Sequence, residues 1–355
     1  MKSAKTNNDL FNFGRWLTNE DAFSDVIISS RIRLARNLEG VPFPNRASQE
    51  HLEGVIKKVK AACGKSRLLT RAAHFDIGTL SALDSRYLVE RRLASPQFVA
   101  SKKPALLVVA EEESLSIMIN EEDHLRIQTL EAGLGIQNAW RAISTADDEL
   151  GKALTFSFSS QFGYLTACPT NIGTGLRVSI FIHLPALALA EQATKALDDL
   201  PTSEIAVRGF YGEGTDSVGN IYQISNQLTL GLTEKGVIRR MLDISQKIVE
   251  AERKARADLI SQNRIKLEDA VYRAWAVLKS ARLLSSLEAM NLISSVRLGL
   301  ESGVVKHIKR SLLNRLMVLV QPAHLQKIFK KDLQPQERDI YRANFIREYL
   351  KDKSN

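Results

Sequence analysis

The feature that most constrains the fold is a change of texture near Gly236. Before it, short β-branched and apolar runs recur: "DVIIS", "PALLVVA", "LSIMI", "LRVSIFIHL", "EIAVRGF" and "NIYQIS". Several alternate, as strands with one buried face do. Amphipathic helical patterns lie between them: "SQEHLEGVIKKVKAAC", with Ser48 placed as an N-cap, "TLSALDSRYLVERRL" and "IQNAWRAISTADDEL". "VVAEEESLSIMI" is two runs around a polar tip, which reads as an antiparallel hairpin rather than a βαβ unit. These elements predict an α+β domain on a largely antiparallel sheet flanked by helices. After Gly236 only Gly299 and Gly303 interrupt a series of helical periods, and Pro322 and Pro335 sit where short helices would begin. An all-helical C-terminal domain follows, with the boundary near residue 255 and no flexible linker. No internal repeat or low-complexity segment is evident.

Charge divides the chain at the same place. Residues 1–250 carry 28 Lys and Arg against 29 Asp and Glu, whereas residues 251–355 carry 21 against 11. The whole excess of +9 therefore lies in the helical part, where phosphate-bearing ligands, acidic protein surfaces and nucleic acid are candidate partners. A length of 355 residues suits two domains, and a charged share of 25% is that of a globular chain. The first twenty residues lack the apolar stretch of a secretory signal. The longest apolar run, "VSIFIHLPALALA", is too short to span a bilayer and contains His183 and Pro185. A soluble cytoplasmic protein is expected, with Cys63 and Cys168 as free thiols.

Four segments concentrate polar residues in or beside apolar strands. In "SSRIRLARN", Arg31 and Arg33 alternate with Ile32 and Leu34, so an extended chain projects both guanidinium groups to one face. Such a pair can clamp a polyanion through bidentate hydrogen bonds; the plainer reading is an edge strand with a solvated face. In "INEEDHLR", Glu121 and Asp123 are expected on one side and Glu122 on the other if the extended geometry persists. Alone, such a cluster reads as a solvated turn or a metal site. Arg126 weakens the metal reading, since a cation is already close by, and His124 reads as structural.

"YLTACPTNIGTGLRVSIFIHL" places Cys168 in a turn-rich loop ahead of Arg177. Its thiol is either reactive, if cations lower its pKa, or a small buried hydrophobe. "GTG" lacks the spacing of a phosphate-cradling loop. "RGFYGEGTDSVGNIYQISN" ends a strand at Arg208 and continues into a glycine-rich loop carrying Glu213 and Asp216, either a closing loop or an ordinary surface loop. Together the five arginines Arg31, Arg33, Arg126, Arg177 and Arg208 sit at strand ends where a sheet could gather them. With Glu122 and Glu213 on nearby loops, a nucleoside triphosphate plus a cationic acceptor would use both sets.

"SSRIRLARN", "NEEDHLR", "CPTNIGTGLR" and "RGFYGEGTDS" resemble, in order, the four signature blocks of the phosphagen (guanidino) kinase catalytic domain. The spacing, "GNIYQISNQLTLGLTE" after the fourth block and "RDIYRA" near the end most resemble the bacterial protein-arginine kinase branch, McsB type. The resemblance implies an N-terminal arm over residues 1–24, a catalytic domain over 25–255 and a helical domain over 256–355 that dimerises and binds phosphoarginine. It implies transfer of the γ-phosphoryl group of ATP to arginine side chains of proteins, as a mark for regulation or Clp-type degradation. On the same ground Ser29, Ser30, Arg31, Ile32, Arg33, Arg92, Arg126, Arg177, Val178, Ser179, Ile180, Phe181, Arg208, Gly209, Phe210, Tyr211 and Gly212 are expected around the nucleotide. Glu122 and Glu213 would hold the acceptor guanidinium, with Cys168 beside it and Glu122 as base. Mg²⁺ would be held by nucleotide phosphates and water, so no protein metal ligand is assigned. Arg338, Asp339, Arg342 and Ala343 match an RDxxRA phosphoarginine pocket; without the resemblance they read as a solvated helix face. A zinc-binding activator and a Clp-type protease are implied partners. Arg92 stands where related kinases carry a histidine near the base, which puts adenine contact there in question.

A kinase for free arginine or another small guanidino compound fits the same chemistry. A non-catalytic phosphoarginine reader or nucleic-acid-binding regulator is a third reading. The basic part offers few interleaved aromatics (Tyr272, Trp275, Phe329, Tyr341, Phe345 and Tyr349), so nucleic acid is the weaker partner.

Overall fold

A computed structural model describes residues 14–18, 20–209 and 218–351. Eight strands form one sheet, antiparallel throughout, in the order β2 (Ala73–Asp76), β3 (Leu106–Val109), β4 (Leu115–Ile119), β5 (Leu125–Ala132), β1 (Ile27–Arg36), β8 (Leu176–His183), β10 (Ile221–Asn226), β9 (Ile205–Gly209). The two runs in "VVAEEESLSIMI" are the β3–β4 hairpin, as their polar tip predicts. A separate hairpin pairs β6 (Phe158–Ser159) with β7 (Gly163–Tyr164).

Period-two alternation gives the sheet two unlike faces. Ile32, Leu34, Ile117, Ile127, Val178, Ile180 and Ile224 share one face and are buried. Helix α4 (Ile136–Gly151) packs on the sheet through Ile136, Ala139, Ile143, Ala146 and Leu150, a stripe at helical spacing. Helix α1 (Gln49–Cys63) begins at Ser48, whose hydroxyl accepts from the backbone N–H of His51. Helix α2 (Ala82–Glu90) and the short α3 (Pro96–Val99) cover part of the other face through a smaller apolar cluster that includes Leu88, Phe98 and Met118.

Two short helices, α5 (Pro185–Leu189) and α6 (Ala193–Asp198), follow β8. The C-terminal part is then helical: α7 (Glu234–Gln262), α8 (Arg264–Ser280), α9 (Ser286–Glu301), α10 (Arg310–Leu319), α11 (Pro322–Phe329) and α12 (Pro335–Lys351). Pro322 and Pro335 do open helices, but the second is 17 residues long rather than short. Helix α7 runs unbroken through residue 255, and one core cluster extends from Trp16 to Leu350, so sheet and bundle share their interior. Among the described residues no helix is long and apolar enough to cross a membrane.

A buried polar hub fastens the two parts. Arg297 of α9 donates to the carbonyls of Ser24 (2.6 Å) and Asp25 (3.2 Å), to Asn314 Oδ1 (3.2 Å) and to Nδ1 of His183 at the end of β8 (2.6 Å). A ring nitrogen that accepts from a guanidinium carries no proton, so His183 donates from Nε2 to Ser294 Oγ (2.8 Å). Burial, followed by the Arg297 charge, holds its pKa well below the usual histidine value. Beside it Glu252 accepts from the N–H groups of Ala186 (2.8 Å) and Leu187 (3.0 Å). Burial nevertheless pushes that carboxyl up to about 7. The folded chain therefore holds a proton there that the unfolded chain loses above its ordinary 4.5. This contribution to stability is full at acid pH and falls as pH rises through that window, by on the order of 3 kcal/mol. In urea titrations at acid and at mildly alkaline pH, the natural chain should lose more stability between the two than Glu252→Gln, which has no proton to release. Equal losses would show that folding does not raise the pKa of Glu252.

Candidate active site

The register places the arginines. Arg33 lies opposite Gln128 on one side and Arg177 on the other; Arg31 lies opposite Leu130 and Ser179; Arg126 lies opposite Ala35; Arg208 lies opposite Gln223, which is itself opposite Phe181. Across antiparallel strands, facing residues project to the same side. Arg31, Arg33, Arg126, Arg177 and Arg208 therefore all rise from the sheet face opposite to the α4 side, and all five line one cavity of about 1460 Å³. The spacing of Arg31 and Arg33 predicted a shared face, and the plainer alternative of a solvated edge strand is overturned: β1 lies at the centre of the sheet.

Concentrating these charges is unfavourable in the protein alone. Arg31 Nη2 donates to Gln223 Oε1 (3.3 Å), but the Nε atoms of Arg31 and Arg33 are buried without a hydrogen-bond partner. Burial first, then repulsion from Arg92, Arg126, Arg177 and Arg208, pushes Arg31 down to about 9. Arg33 is held well below the usual arginine value by burial and by Arg31, Arg126 and Arg177. Such a cluster is built to be neutralised by a polyanion.

The acidic segment is the β4–β5 turn, in which each residue has a distinct task. Asn120 takes the left-handed conformation (φ 65) that closes the hairpin, and its side-chain amide donates to the carbonyls of Leu52 and Pro104 (3.0 Å each). Glu121 and Glu122 both pair with Arg126, at 2.5 and 3.0 Å, so they act from one side rather than from the opposite sides that an extended geometry predicts. The chain turns there, and alternation ends with the strand. Ser95 also donates to Glu121, which is nearly buried, whereas Glu122 keeps 43% of its side chain exposed and faces the cavity. Asp123 turns inward to accept from Asn37 Nδ2 and from the Ala167 N–H (2.7 Å each); burial raises its pKa. His124 is structural, as expected: Nδ1 accepts from the Leu38 N–H (3.0 Å), so Nε2 donates to the Pro42 carbonyl (3.0 Å), and burial pushes it down to about 4.

Cys168 lines the same cavity, with Sγ 3.0 Å from the Thr170 hydroxyl, at the start of a single 3₁₀ turn. Arg92 sits at φ 59, its guanidinium 4.0 Å above the Phe181 ring, and its carbonyl accepts from Gln128 Nε2 (2.9 Å). Arg31 lies 5.4 Å from the same ring, so the two cations flank one aromatic. Met317, Val318 and Gln321 bring the helical part into the cavity wall.

Other expected residues lie elsewhere. Ile32, Val178 and Ile180 turn their side chains to the α4 face and are fully buried, because alternate residues of a strand cannot share a face. Ser30 also points away and donates to the Gly133 carbonyl (2.7 Å). Ser29 and Ser179 are on the arginine face, and Gly209 ends β9. Phe210, Tyr211, Gly212 and Glu213, with Asp216, lie outside the described residues. Gln128, Gln223 and Ser225 complete the polar face without having been anticipated, and Glu121, expected only as part of the acidic cluster, joins the cavity from the turn; Ser225 Oγ accepts from Arg177 Nη2 (3.1 Å). Polar residues alternating with Ile in "RIQ" and "YQIS" were the available signal.

In α12 Arg342 is buried: Nε donates to the Val320 carbonyl (2.8 Å), and Nη1 to the Leu284 carbonyl (2.8 Å) and Asp339 Oδ1 (2.6 Å). Ala343 is buried beside it and Arg338 is half-buried. The expectation of a solvated helix face therefore fails at Arg342, which ties α12 to the end of α10. Among the described residues, no three His, Cys, Asp or Glu side chains gather as a metal cluster would.

Residues 54–255 match the family model for the ATP:guanido phosphotransferase C-terminal catalytic domain, and residues 264–355 match that for the protein-arginine kinase McsB C-terminal domain. A protein-arginine kinase of Symbiobacterium thermophilum is 44% identical over 95% of this chain and 96% of its own. The chain belongs to the protein-arginine kinase family. A second member, from Halothermothrix orenii, is 43% identical over 96% of this chain and 97% of its own. The fold is also that of the duplicated taurocyamine kinase of Schistosoma mansoni, solved with bound transition state analog components. That structure has a TM-score of 0.59 and 24% identity over 74% of this chain and 39% of the longer one.

Proposed function

We propose that the chain transfers the γ-phosphoryl group of ATP to the guanidinium of arginine side chains in proteins. The observation that carries this reading is that five sheet-borne arginines share a single cavity with the accessible carboxylate of Glu122, which is ion-paired to one of them, Arg126. An arginine guanidinium is protonated at neutral pH and has no free lone pair, so a proton must leave as nitrogen attacks phosphorus. Glu122 is placed to orient the planar acceptor through paired hydrogen bonds and to take that proton. The P–N bond forms, the bond from the γ-phosphorus to the bridging oxygen breaks, and ADP leaves. Arg31, Arg33, Arg126, Arg177 and Arg208 neutralise the triphosphate and the transferring group, the chief source of catalysis in phosphoryl transfer. A divalent cation on the phosphates would supply further charge neutralisation. Glu213 is the proposed second clamp and Cys168 the proposed neighbour of the acceptor. We further propose a homodimer through the helical domain (256–355), and a phosphoarginine site around Arg338, Asp339, Arg342 and Ala343 that opens only when Arg342 exchanges its carbonyl partners for a phosphoryl group. A zinc-binding activator and a Clp-type protease are the proposed partners.

The test is mass spectrometry, under conditions that preserve P–N bonds, of a protein mixture and of free arginine, each incubated with ATP and this chain. Acid-labile phosphate on protein arginines, with free arginine unmodified, is expected. Labelling of free arginine alone would turn the reading to a small-guanidino kinase, and no labelling of either would overturn it.

A further inference from the structure

Two stretches of the sequence carry no charge at all: residues 153–176 and 218–233, in a chain whose charged share is 25%. The fold brings them together. The N–H of Tyr164 donates to the Gly173 carbonyl (2.8 Å), and the Thr229 hydroxyl reaches the carbonyls of Thr170 (2.9 Å) and Ile172 (2.7 Å). Glycines make the approach possible. A Cβ on Gly163 would stand 2.6 Å from the Gly173 carbonyl oxygen, and one on Gly173 (φ +108) would stand 2.6 Å from that of Thr229. Three backbone segments thus stack into one uncharged wall, whose middle segment contributes Cys168, Thr170 and Asn171 to the cavity. The outer segments expose large apolar side chains: Phe158, Phe162, Leu228, Leu230 and Leu232 are each 46–62% exposed.

We infer that this uncharged apolar wall is the docking surface for the substrate polypeptide, and that it selects arginines carried in extended segments with large apolar neighbours. The inference rests on the protein-arginine kinase reading above and specifies its substrate class. With the nucleotide neutralising the arginines, Glu122 grips only the acceptor guanidinium, which every arginyl chain shares, so discrimination among chains must come from contacts with the residues on either side. Acidic flanking residues would need exposed cations on the wall; its two stretches hold none, and Arg36, which stacks on Tyr164, is buried and paired with Asp147. Apolar flanking residues gain from burial there. The wall adjoins the cavity at Cys168, so residues on either side of an inserted arginine lie against it. Continuity with the site and absence of charge both favour an apolar polypeptide over an acidic one.

The experiment uses the full chain and two peptides of equal length and net charge, each with one arginine, flanked in one by Leu and Phe and in the other by Ser. The natural chain should phosphorylate the apolar-flanked peptide with kcat/KM about tenfold higher, the discrimination that one or two apolar contacts provide. A Phe162→Ser, Leu230→Ser double variant should lose that preference. Its rate on the Ser-flanked peptide, its KM for ATP and its melting temperature should stay as in the natural chain. Equal rates on both peptides with the natural chain, or a preference that survives in the variant, would overturn the proposal. So would a change in sedimentation of the variant, since the wall would then face a second copy. If neither peptide is phosphorylated, the underlying kinase reading fails, an outcome separate from uniform phosphorylation.

Discussion

Glu122→Gln should reduce phosphoryl transfer to an arginyl peptide by about a thousandfold, the range expected when a positioned general base is removed. Nucleotide binding should survive. Glutamine keeps the shape and one acceptor oxygen of glutamate but neither takes a proton nor matches a guanidinium charge for charge. The arrangement of Arg126 separates this effect from damage to the nucleotide site. That guanidinium is held by two carboxylates, Glu121 at 2.5 Å and Glu122 at 3.0 Å, and Glu121 is the better buried of the two. With Glu122 neutral, Glu121 still fixes Arg126 toward the phosphates. The converse variant, Glu121→Gln, should loosen Arg126 and raise KM for ATP while leaving the base in place. Calorimetric titration with ATP and single-turnover transfer distinguish the two. Transfer by Glu122→Gln within about tenfold of the natural rate would remove Glu122 from the role of base.

How much of this site could be read from the sequence depends on which rule governs each residue. Arg31 and Arg33 were placed on one face because period-two alternation is a property of any strand, whatever its neighbours. The same rule excludes Ile32, Val178 and Ile180 from that face; assigning whole signature blocks to the nucleotide overlooked that a strand gives a site only every second residue. Arg126 is placed at a strand end by the sequence, but the strand that carries it and Gln128, β5, is not among the runs that alternation singles out. "LRIQTLEA" mixes polar and apolar residues on both faces, since one face meets a cavity and the other a helix. In "NEEDH" the sequence announced charge but not direction. A tight turn distributed three acids among an ion pair, a cavity and a buried hydrogen-bond network, which only the tertiary partners Ser95, Asn37 and Ala167 determine. Arg342 illustrates the same limit in a helix: spacing sets the face, whereas burial depends on where α10 ends.

Arg31→Met should make the ligand-free chain more stable while impairing nucleotide binding and transfer. Arg31 is half-buried in the sheet face with its Nε unpartnered, pushed down to about 9 by desolvation and by four other arginines, and its hydrogen bond to Gln223 is long. At pH 7 it is still protonated, so the full unfavourable interaction is present. A cation whose folded pKa is depressed destabilises the fold at every pH below that value and is relieved only as pH rises above it. Methionine removes the charge and packs against Phe181, whose ring already lies beside the Arg31 side chain. The expected gain is on the order of 1–4 kcal/mol, as when buried charge is exchanged for apolar volume, and it should shrink above about pH 9 as the natural chain sheds its own proton. Saturating ATP should reverse the order. The natural chain gains stability from every phosphate contact, whereas the variant forfeits one, with a loss of roughly 3 kcal/mol of transition-state stabilisation. Urea titrations with and without ATP measure both halves. A less stable ligand-free variant would mean that Arg31 contributes to the fold rather than burdening it, and the cavity would lose its character as a site held charged for a polyanion.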